Sequence, residues 1–567
     1  MSRLRRCAAL GILLFLASAA FANTSKISPD LLPLLANPSA SHNVIIQYNS
    51  APQTCSGGGL LGGLLCTAVN LLGGVVHVVF DLLNAVTGTL TGVQILNLSN
   101  QSNVAYISLD RAVHGTLDYT TSAANAQAAW STGLDGTGVG IAIIDSGIYP
   151  HPDLMNSSGR SRIVYRQSFV PGSLIDDFGH GTHVAGIVAG NGKSSTGAGS
   201  FRNLKGLAPN ANLLDLRVLD ASGASTDSAV IAAIQQAVHL KNQYNVRVIN
   251  LSLGRRIVES CAHDPLCQAV EAAWRNGIVV VTAAGNLGHN GYATVVSPGN
   301  APHAITVGAM KTLETTFRGD DAIASYSSKG PTFIDLTAKP DIVAPGNQVV
   351  SLLAPGSTLV SEAPGNVVYP SYYKTGSASG APVYMRLSGT SMATPVVSGA
   401  VALMLQKTPS LSPDAVKARL MKTASKNFPR SSVAVDPTTG KSYTSTYDMF
   451  TVGAGYLDIG AALANNDSVS RSAASPSVLY NLLLRQPYLS TNSGMLWGSS
   501  TAWLPSSVWG GVEITGYNNT VWYGGAIWGS NVVWGDNVVW GDNVVWGDNV
   551  VWGDNVVWGD TTVNGEN

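Results

Sequence analysis

Charge is scarce in this chain. Only 11% of its 567 residues are Asp, Glu, Lys or Arg, against about a quarter in ordinary globular domains. The 32 basic and 33 acidic side chains leave a net charge of −1. A phosphate-binding surface needs an excess of Lys and Arg, so the balance argues against nucleic acid as a partner. It also argues against a charge-rich disordered chain. Five cysteines are too few for a disulfide-dense scaffold. The 61 glycines follow no three-residue period, which excludes collagen. What the chain has is apolar material, 45% of all residues, enough for a sizeable core. The length corresponds to about three to four domains.

The chain starts MSRLRRCAALGILLFLASAAFANTSK. Arg3, Arg5 and Arg6 precede an apolar run from Cys7 to Phe21, and Ala20-Phe21-Ala22 forms a small-residue cleavage site. This pattern predicts a secretory signal over residues 1–22. The run of 15 residues is shorter than the ~20 that a spanning helix needs. A secreted destination, extracellular or held at the periplasm or cell surface, favours disulfides in the two local pairs, Cys55 with Cys66 and Cys261 with Cys267. No His/Cys cluster with zinc spacing lies near either pair.

Composition then divides the chain. Residues 23–116 predict a small α+β domain: HNVIIQYNS has strand character, and LTGVQILNLSNQSNVAYISLD reads as helix, turn and strand. It carries an apolar Gly/Leu-rich insertion, Gly57 to Phe80, with seven glycines and no charged residue. Between 117 and 465 short apolar runs (VGIAIID, ANLLDLRVL, VRVINLSLG, IVVVTAAGN) alternate with helix-like segments. That alternation predicts an α/β fold, a mostly parallel sheet with helices on both faces. The runs are apolar throughout, as suits strands buried on two sides. Residues 466–493 have a linker-like Ser/Asn composition. Residues 494–567 form a tryptophan-rich repeat tail, in which NVVWGD occurs five times in tandem from Asn531 to Asp560. The six-residue period keeps each Trp on one face of a strand, and Gly-Asp-Asn supplies turns, so short β-structure is expected. The tail holds ten of the twelve tryptophans and no Lys or Arg. Exposed tryptophans would be a large apolar liability. Either they stack on one another or they bind a surface, glycan or envelope component.

Four segments carry chemistry, in the order IAIIDSGI, GHGTHVAG, VTAAGN and SGTSMATPVVSGAVALML. Asp145 ends an apolar strand, where open α/β sheets place their ligand crevice. His180 suits a general base, because imidazole is the side chain whose ordinary pKa lies near neutrality. Ser391 is a weak nucleophile that needs such a base, and it opens a helix whose free N–H groups favour developing negative charge. Pro395 is expected within the first turn of that helix, where a missing N–H costs little. Asn286 follows another apolar strand and can donate to an oxyanion. Taken singly, each residue has an ordinary reading as turn former, cap or incidental histidine; the four together do not.

These motifs, DSGI, HGTHVAG, AAGN and GTSMATP, closely resemble those of the subtilisin-like serine proteases, the subtilase family. GLAPNANLLDLRVLD, VINLSLG, KPDIVAPG and GAGYLDIGAAL are similar to further family landmarks, so the resemblance covers roughly Leu117 to Leu463. It implies a serine endopeptidase that acts on polypeptides with no cofactor for the chemistry. Asp145, His180 and Ser391 would be its triad and Asn286 its oxyanion donor. It implies that residues 23–116 are an inhibitory propeptide removed by self-cleavage. Substrate would lie beside Ser252, Leu253 and Gly254, with Ala283, Ala284 and Gly285 as the opposite wall of the primary specificity pocket. Val296 would lie at the pocket floor, where relatives often have glycine, which predicts small or medium apolar preference. Calcium as a structural ion is common in the family, but the loop NGKSSTGAGS has no acidic residue. Asp153 is a candidate ligand and equally a turn residue, and no metal site is assigned. The segment from Gly346 to Leu387 is expected to form an active-site rim.

Overall fold

The computed structural model describes residues 23–28, 31–49, 75–80, 85–109, 119–375, 380–435, 440–481, 486–490, 494–498, 503 and 505–509. The signal segment, the Cys55/Cys66 pair and the tandem NVVWGD repeats lie outside these residues. The chain divides into two compact units, Met1–His114 and Gly115–Asn567.

The first unit is an α+β domain. Its four-stranded antiparallel sheet runs in the order Val75–Phe80, Ala85–Thr91, Ser41–Tyr48, Val104–Leu109. The helix Gly92–Ser99 starts with a capping box, in which Thr91 and Gln94 satisfy each other's backbone N–H groups. Ile95 and Leu98 of that helix join Val44, Ile46, Leu90, Val104 and Ile107 in one buried cluster. The end of the apolar insertion, Val75–Phe80, is an edge strand of this sheet.

The second unit is built on an eight-stranded sheet, parallel except at one edge. Its order is Ala322–Ile323, Ile305–Lys311, Val279–Ala283, Val246–Leu251, Gly140–Asp145, Asn212–Arg217, Ile163–Ser168, with Ile342–Pro345 also paired to Ile305–Lys311. Gly140–Asp145 is buried at every position. Ile141 and Ile143 face one apolar layer and Ala142 and Ile144 the other, as the two-residue period of a strand requires. The first layer holds the helices His180–Ala189 and Thr390–Lys407, the second Asp227–His239 and Pro265–Arg275. The chain leaves Gly140–Asp145 towards one side of the sheet and returns to the other side at Val246–Leu251. Their carboxyl ends therefore border a topological switch point, the place where such sheets open a crevice.

Two sequence expectations are corrected in this unit. The described residues of 466–493, expected as a linker, are packed into this unit. Val478 and Ala473 are fully buried, Ala338 N–H donates to Pro476 O and Val478 N–H to Leu336 O (both 2.8 Å), and Ser477–Asn481 pairs with Gln486–Ser490. Nor does a separate tail begin at Gly494. Trp497, Trp503 and Trp509 are 0%, 2% and 4% exposed and pack with Ala418, Met421, Met449 and Phe450. Trp497 Nε1 donates to Ala474 O at 2.7 Å, and its ring meets Trp509 edge-on at 5.2 Å. Ser/Asn composition and a repeat period mark a segment as polar or repetitive, but they do not say which surface it meets.

Cys261 and Cys267 form a disulfide at the start of the helix Pro265–Arg275. No helix of the described residues is long and apolar enough to cross a membrane.

Candidate active site

Asp145 sits at the carboxyl end of its strand, 1% exposed. His180 is the first residue of the helix His180–Ala189 and is fully buried. Its Nδ1 lies 3.0 Å from Asp145 Oδ1 and 3.2 Å from Oδ2. Opposite a carboxylate Nδ1 must carry the proton, which leaves Nε2 as the basic lone pair. Asp145 Oδ1 also accepts Ser146 N–H at 2.7 Å.

Sequence reasoning missed what holds this pair. Asp176 is buried beneath the start of the helix. It accepts Gly179 N–H (2.7 Å), Thr182 N–H (2.8 Å), the Thr182 hydroxyl (2.6 Å) and the Ser146 hydroxyl (2.8 Å). Ser146 Oγ in turn accepts Gly181 N–H at 2.9 Å. One carboxylate thus satisfies the free N–H groups on both sides of His180 and ties them to the strand end that carries Asp145. The only sequence signal was an acidic residue four positions before the histidine. Burial pushes the Asp176 carboxyl up against these four hydrogen bonds. Asp215, on the neighbouring strand, is also buried. Burial raises its carboxyl to about 8 against the pull of Arg166, with Asp176 and Asp145 adding like charge. His183, one turn after His180, is pushed down to about 3 by burial and by His180. Its Nε2 lies 3.0 Å from Val349 O and 3.2 Å from Met385 O, so it is a neutral packing residue.

Ser391 is the second residue of the helix Thr390–Lys407. Its hydroxyl donates to Ser252 O at 3.0 Å, and the Ser252 hydroxyl donates to Ser391 O at 2.8 Å. Pro395 explains the second bond. It lies inside the helix rather than in the first turn, so it cannot donate to Ser391 O four residues back. The Ser252 hydroxyl takes up that carbonyl. Gly389 precedes the helix with φ +148°, a conformation side chains rarely adopt. A Cβ there would lie 3.2 Å from Asn286 Nδ2 and 3.7 Å from Ser391 N.

The Asn286 amide is oriented by Thr390, whose N–H (2.9 Å) and hydroxyl (3.1 Å) both donate to Oδ1. Two donors fix the oxygen, so Nδ2 is the atom turned towards Gly389. Asn286 Nδ2 and Ser391 N–H therefore border the same small space.

The expected pocket residues are brought together. Val296 N–H donates to Ala284 O at 3.0 Å, and Arg255 N–H donates to Ser297 O at 2.8 Å. Ser252, Leu253, Ala283, Ala284 and Val296 are all buried. The Val296 isopropyl lies between Gly254 and Gly285. A Cβ on Gly254 would meet its Cγ2 at 2.5 Å, and one on Gly285 would meet its Cγ1 at 2.8 Å.

The segment between Gly346 and Leu387 carries a three-stranded sheet of Val349–Leu352, Val367–Val368 and Tyr384–Leu387. It is tied to the loop before His180 by Thr358 N–H to Asp177 O (2.9 Å) and Leu359 N–H to Phe178 O (3.0 Å). The Asp153 carboxylate, a candidate calcium ligand from sequence, instead accepts Ser194 N–H at 2.7 Å and the Tyr384 hydroxyl.

Comparison with known proteins gives matches of three kinds. The model of the Subtilase family matches residues 136–455. Among relatives, Serine protease AprX of Bacillus subtilis (strain 168) is 38% identical over 350 residues, 60% of this chain and 73% of that protein. Subtilisin E of the same strain is 34% identical over 353 residues, 61% of this chain and 76% of that protein. Among solved structures, that of a cold-adapted subtilisin-like serine proteinase is similar at 30% identity and a TM-score of 0.37, covering 52% of this chain and 85% of that one.

Proposed function

The chain belongs to the subtilase family and is a serine endopeptidase, and on that premise we propose that it is a secreted enzyme made as a self-processing precursor, with Asp145, His180 and Ser391 as its triad. The observations that carry the assignment are the Asp145–His180 hydrogen bond at 3.0 Å and an asparagine amide that borders the same space as the backbone N–H of Ser391.

The reaction follows from these groups. Substrate lies extended beside Ser252-Leu253-Gly254 and adds a strand by main-chain hydrogen bonds. The Ser391 hydroxyl exchanges its bond to Ser252 O for one to His180 Nε2. Ser391 Oγ attacks the scissile carbonyl as Nε2 takes its proton, and Asp145 holds the imidazolium in place. The carbonyl oxygen becomes an oxyanion, met by Asn286 Nδ2 and Ser391 N–H. In subtilisin, the reference case for this effect, loss of the oxyanion asparagine costs about 2.7–4 kcal/mol. His180 returns the proton to the leaving amine, and water then hydrolyses the acyl-enzyme by the same steps. No cofactor enters this chemistry.

In this reading residues 1–22 direct export and residues 23–116 are the propeptide, an inhibitor of the enzyme that releases it. The catalytic domain starts at 117. The packing of Trp497, Trp503 and Trp509 extends it to about 509, and the remaining repeats engage a surface or envelope component. Val296 between Gly254 and Gly285 favours small or medium apolar side chains before the scissile bond. The test is mass analysis of purified wild type and Ser391→Ala. Cleavage between Asp110 and Thr121 in the wild type alone supports the proposal. Identical processing of both proteins overturns self-cleavage.

A further inference from the structure

Two oxygen-rich positions in the second unit offer donor groups of the kind a structural cation uses, and at both the chain's own cationic side chains take them up. The first surrounds the turn Pro152–Leu154. Asp153 is fully buried, and its carboxylate is taken by Ser194 N–H and the Tyr384 hydroxyl. Its carbonyl accepts Asn191 N–H (2.9 Å) and Arg162 Nη2 (2.8 Å). The same guanidinium, 3% exposed, donates to Ala189 O and to Ala211 O. Three carbonyls thus converge on the Arg162 guanidinium, and the Asp153 carboxylate beside them is taken by Ser194 and Tyr384.

The loop after the helix His180–Ala189 is held in the same manner, by protein groups. The Ser195 hydroxyl donates to Gly192 O (3.0 Å) and accepts Leu204 N–H (2.9 Å). Phe201 N–H donates to Tyr373 O (3.0 Å), Thr375 N–H donates to Gly199 O (2.8 Å), and the Arg202 guanidinium lies 4.1 Å over the Tyr372 ring. The segment between Gly346 and Leu387 therefore braces a loop that has no acidic residue of its own.

The second position lies under the strand Ile342–Pro345. Lys417 Nζ donates to Pro302 O (2.8 Å), His303 O (3.3 Å), Ala304 O (3.1 Å) and Ser475 Oγ (2.8 Å), and lies 3.0 Å from Asp341 Oδ1. Lys339 Nζ donates to Ala304 O (2.8 Å) and Asp341 Oδ2 (2.7 Å). All three charged side chains are fully buried. Carbonyls, a carboxylate and a hydroxyl around one centre form a donor set for a hard cation, and two ammonium groups occupy it.

Calcium needs six to eight oxygens at about 2.3–2.6 Å, whereas N–H donors hold theirs at about 2.7–3.2 Å. The same oxygens cannot serve both. At the second position a divalent ion would also face the buried Lys417 ammonium, 3.0 Å from the same carboxylate. The residues present do not fit calcium at either place. We propose that this chain has replaced structural calcium with Arg162 at the first position and with Lys339 and Lys417 at the second, so that its folded catalytic unit is stable without a divalent cation.

The test uses full-length Ser391→Ala protein, which cannot digest itself. Its melting temperature is expected to agree within about 1 °C in excess EDTA and in millimolar calcium chloride, because a ligand that binds only the folded state must shift it. Metal analysis after gel filtration should find less than about a tenth of a calcium ion per chain, since a site already filled by protein donors offers an ion too few oxygens. A fall of more than about 5 °C in EDTA, or one retained calcium per chain, overturns the proposal. Tyr384→Phe and Lys417→Met in the same background should each melt lower, Lys417→Met by more than about 5 °C, or fail to accumulate folded. A Lys417→Met protein as stable as its parent would show that the ammonium does not carry the load assigned to it.

Discussion

Replacing Val296 by glycine should widen the primary specificity pocket and change which peptides are cut. The isopropyl group is 5% exposed and stands within 2.5 to 2.8 Å of where side chains on Gly254 and Gly285 would begin. Its removal opens the gap between the two walls by three carbon atoms. At about 0.8 kcal/mol per buried methylene, a larger substrate side chain gains ~2.4 kcal/mol that the parent cannot offer. That is a factor of roughly 50 in kcat/KM. The assay is hydrolysis of peptide anilides that differ only before the scissile bond, with Ala, Val, Leu or Phe. The parent should prefer the smaller side chains, and Val296→Gly should raise the Phe to Ala ratio of kcat/KM by about 10- to 100-fold. The kcat on the Ala substrate should hold, because the triad and Asn286 are untouched. A parent that already prefers Phe, or a ratio that moves by less than about twofold, would refute the placement of Val296.

Two further outcomes follow from the packing and the buried charge. A chain ending at residue 509 should keep the melting temperature and small-peptide activity of the full chain, whereas one ending at 493 should lose most of its folded yield. The shorter form removes three buried tryptophans, each worth about 3–5 kcal/mol on truncation; thermal melts of both forms check this. Asp215→Asn should stabilise the protein more at pH 9 than at pH 6. The folded carboxyl, raised to about 8, keeps its proton where the unfolded one has lost it, so its stabilising effect is present in acid and lost as pH rises through 8. The variant removes that loss, and its advantage should grow by about 1–3 kcal/mol across the interval, read from denaturant melts at the two values.

The parts of the molecule readable from sequence are those whose signal is local. Strands such as Gly140–Asp145 are buried at every position because both faces are covered, and the residues that end them mark the crevice. Asp145, His180, Asn286 and Ser391 sit in short motifs, so their elements and order were legible. What was not legible depends on distant partners. Asp176 acts through Ser146, Gly179 and Thr182, and nothing local separates it from an ordinary loop acid. Pro395 looked like a first-turn proline. The Ser252 hydroxyl, 139 positions from Ser391, lets the proline stand deeper in the helix by satisfying Ser391 O. Nothing local marks Lys339 and Lys417 as buried; Asp341 and the carbonyls of residues 302–304 converge on them from distant segments. The tryptophan period left stacking and surface binding both open. Only the fold shows Trp497, Trp503 and Trp509 stacking on the catalytic unit.

The claim on which the account rests is that Ser391 is a nucleophile activated by His180, and covalent labelling measures this most directly. Processed enzyme treated with a fluorophosphonate should gain one adduct, mapped by peptide mass analysis to Ser391, and the reaction should be lost in His180→Ala that remains folded. Labelling at another residue, or undiminished labelling of Ser391 without the imidazole, would contradict it.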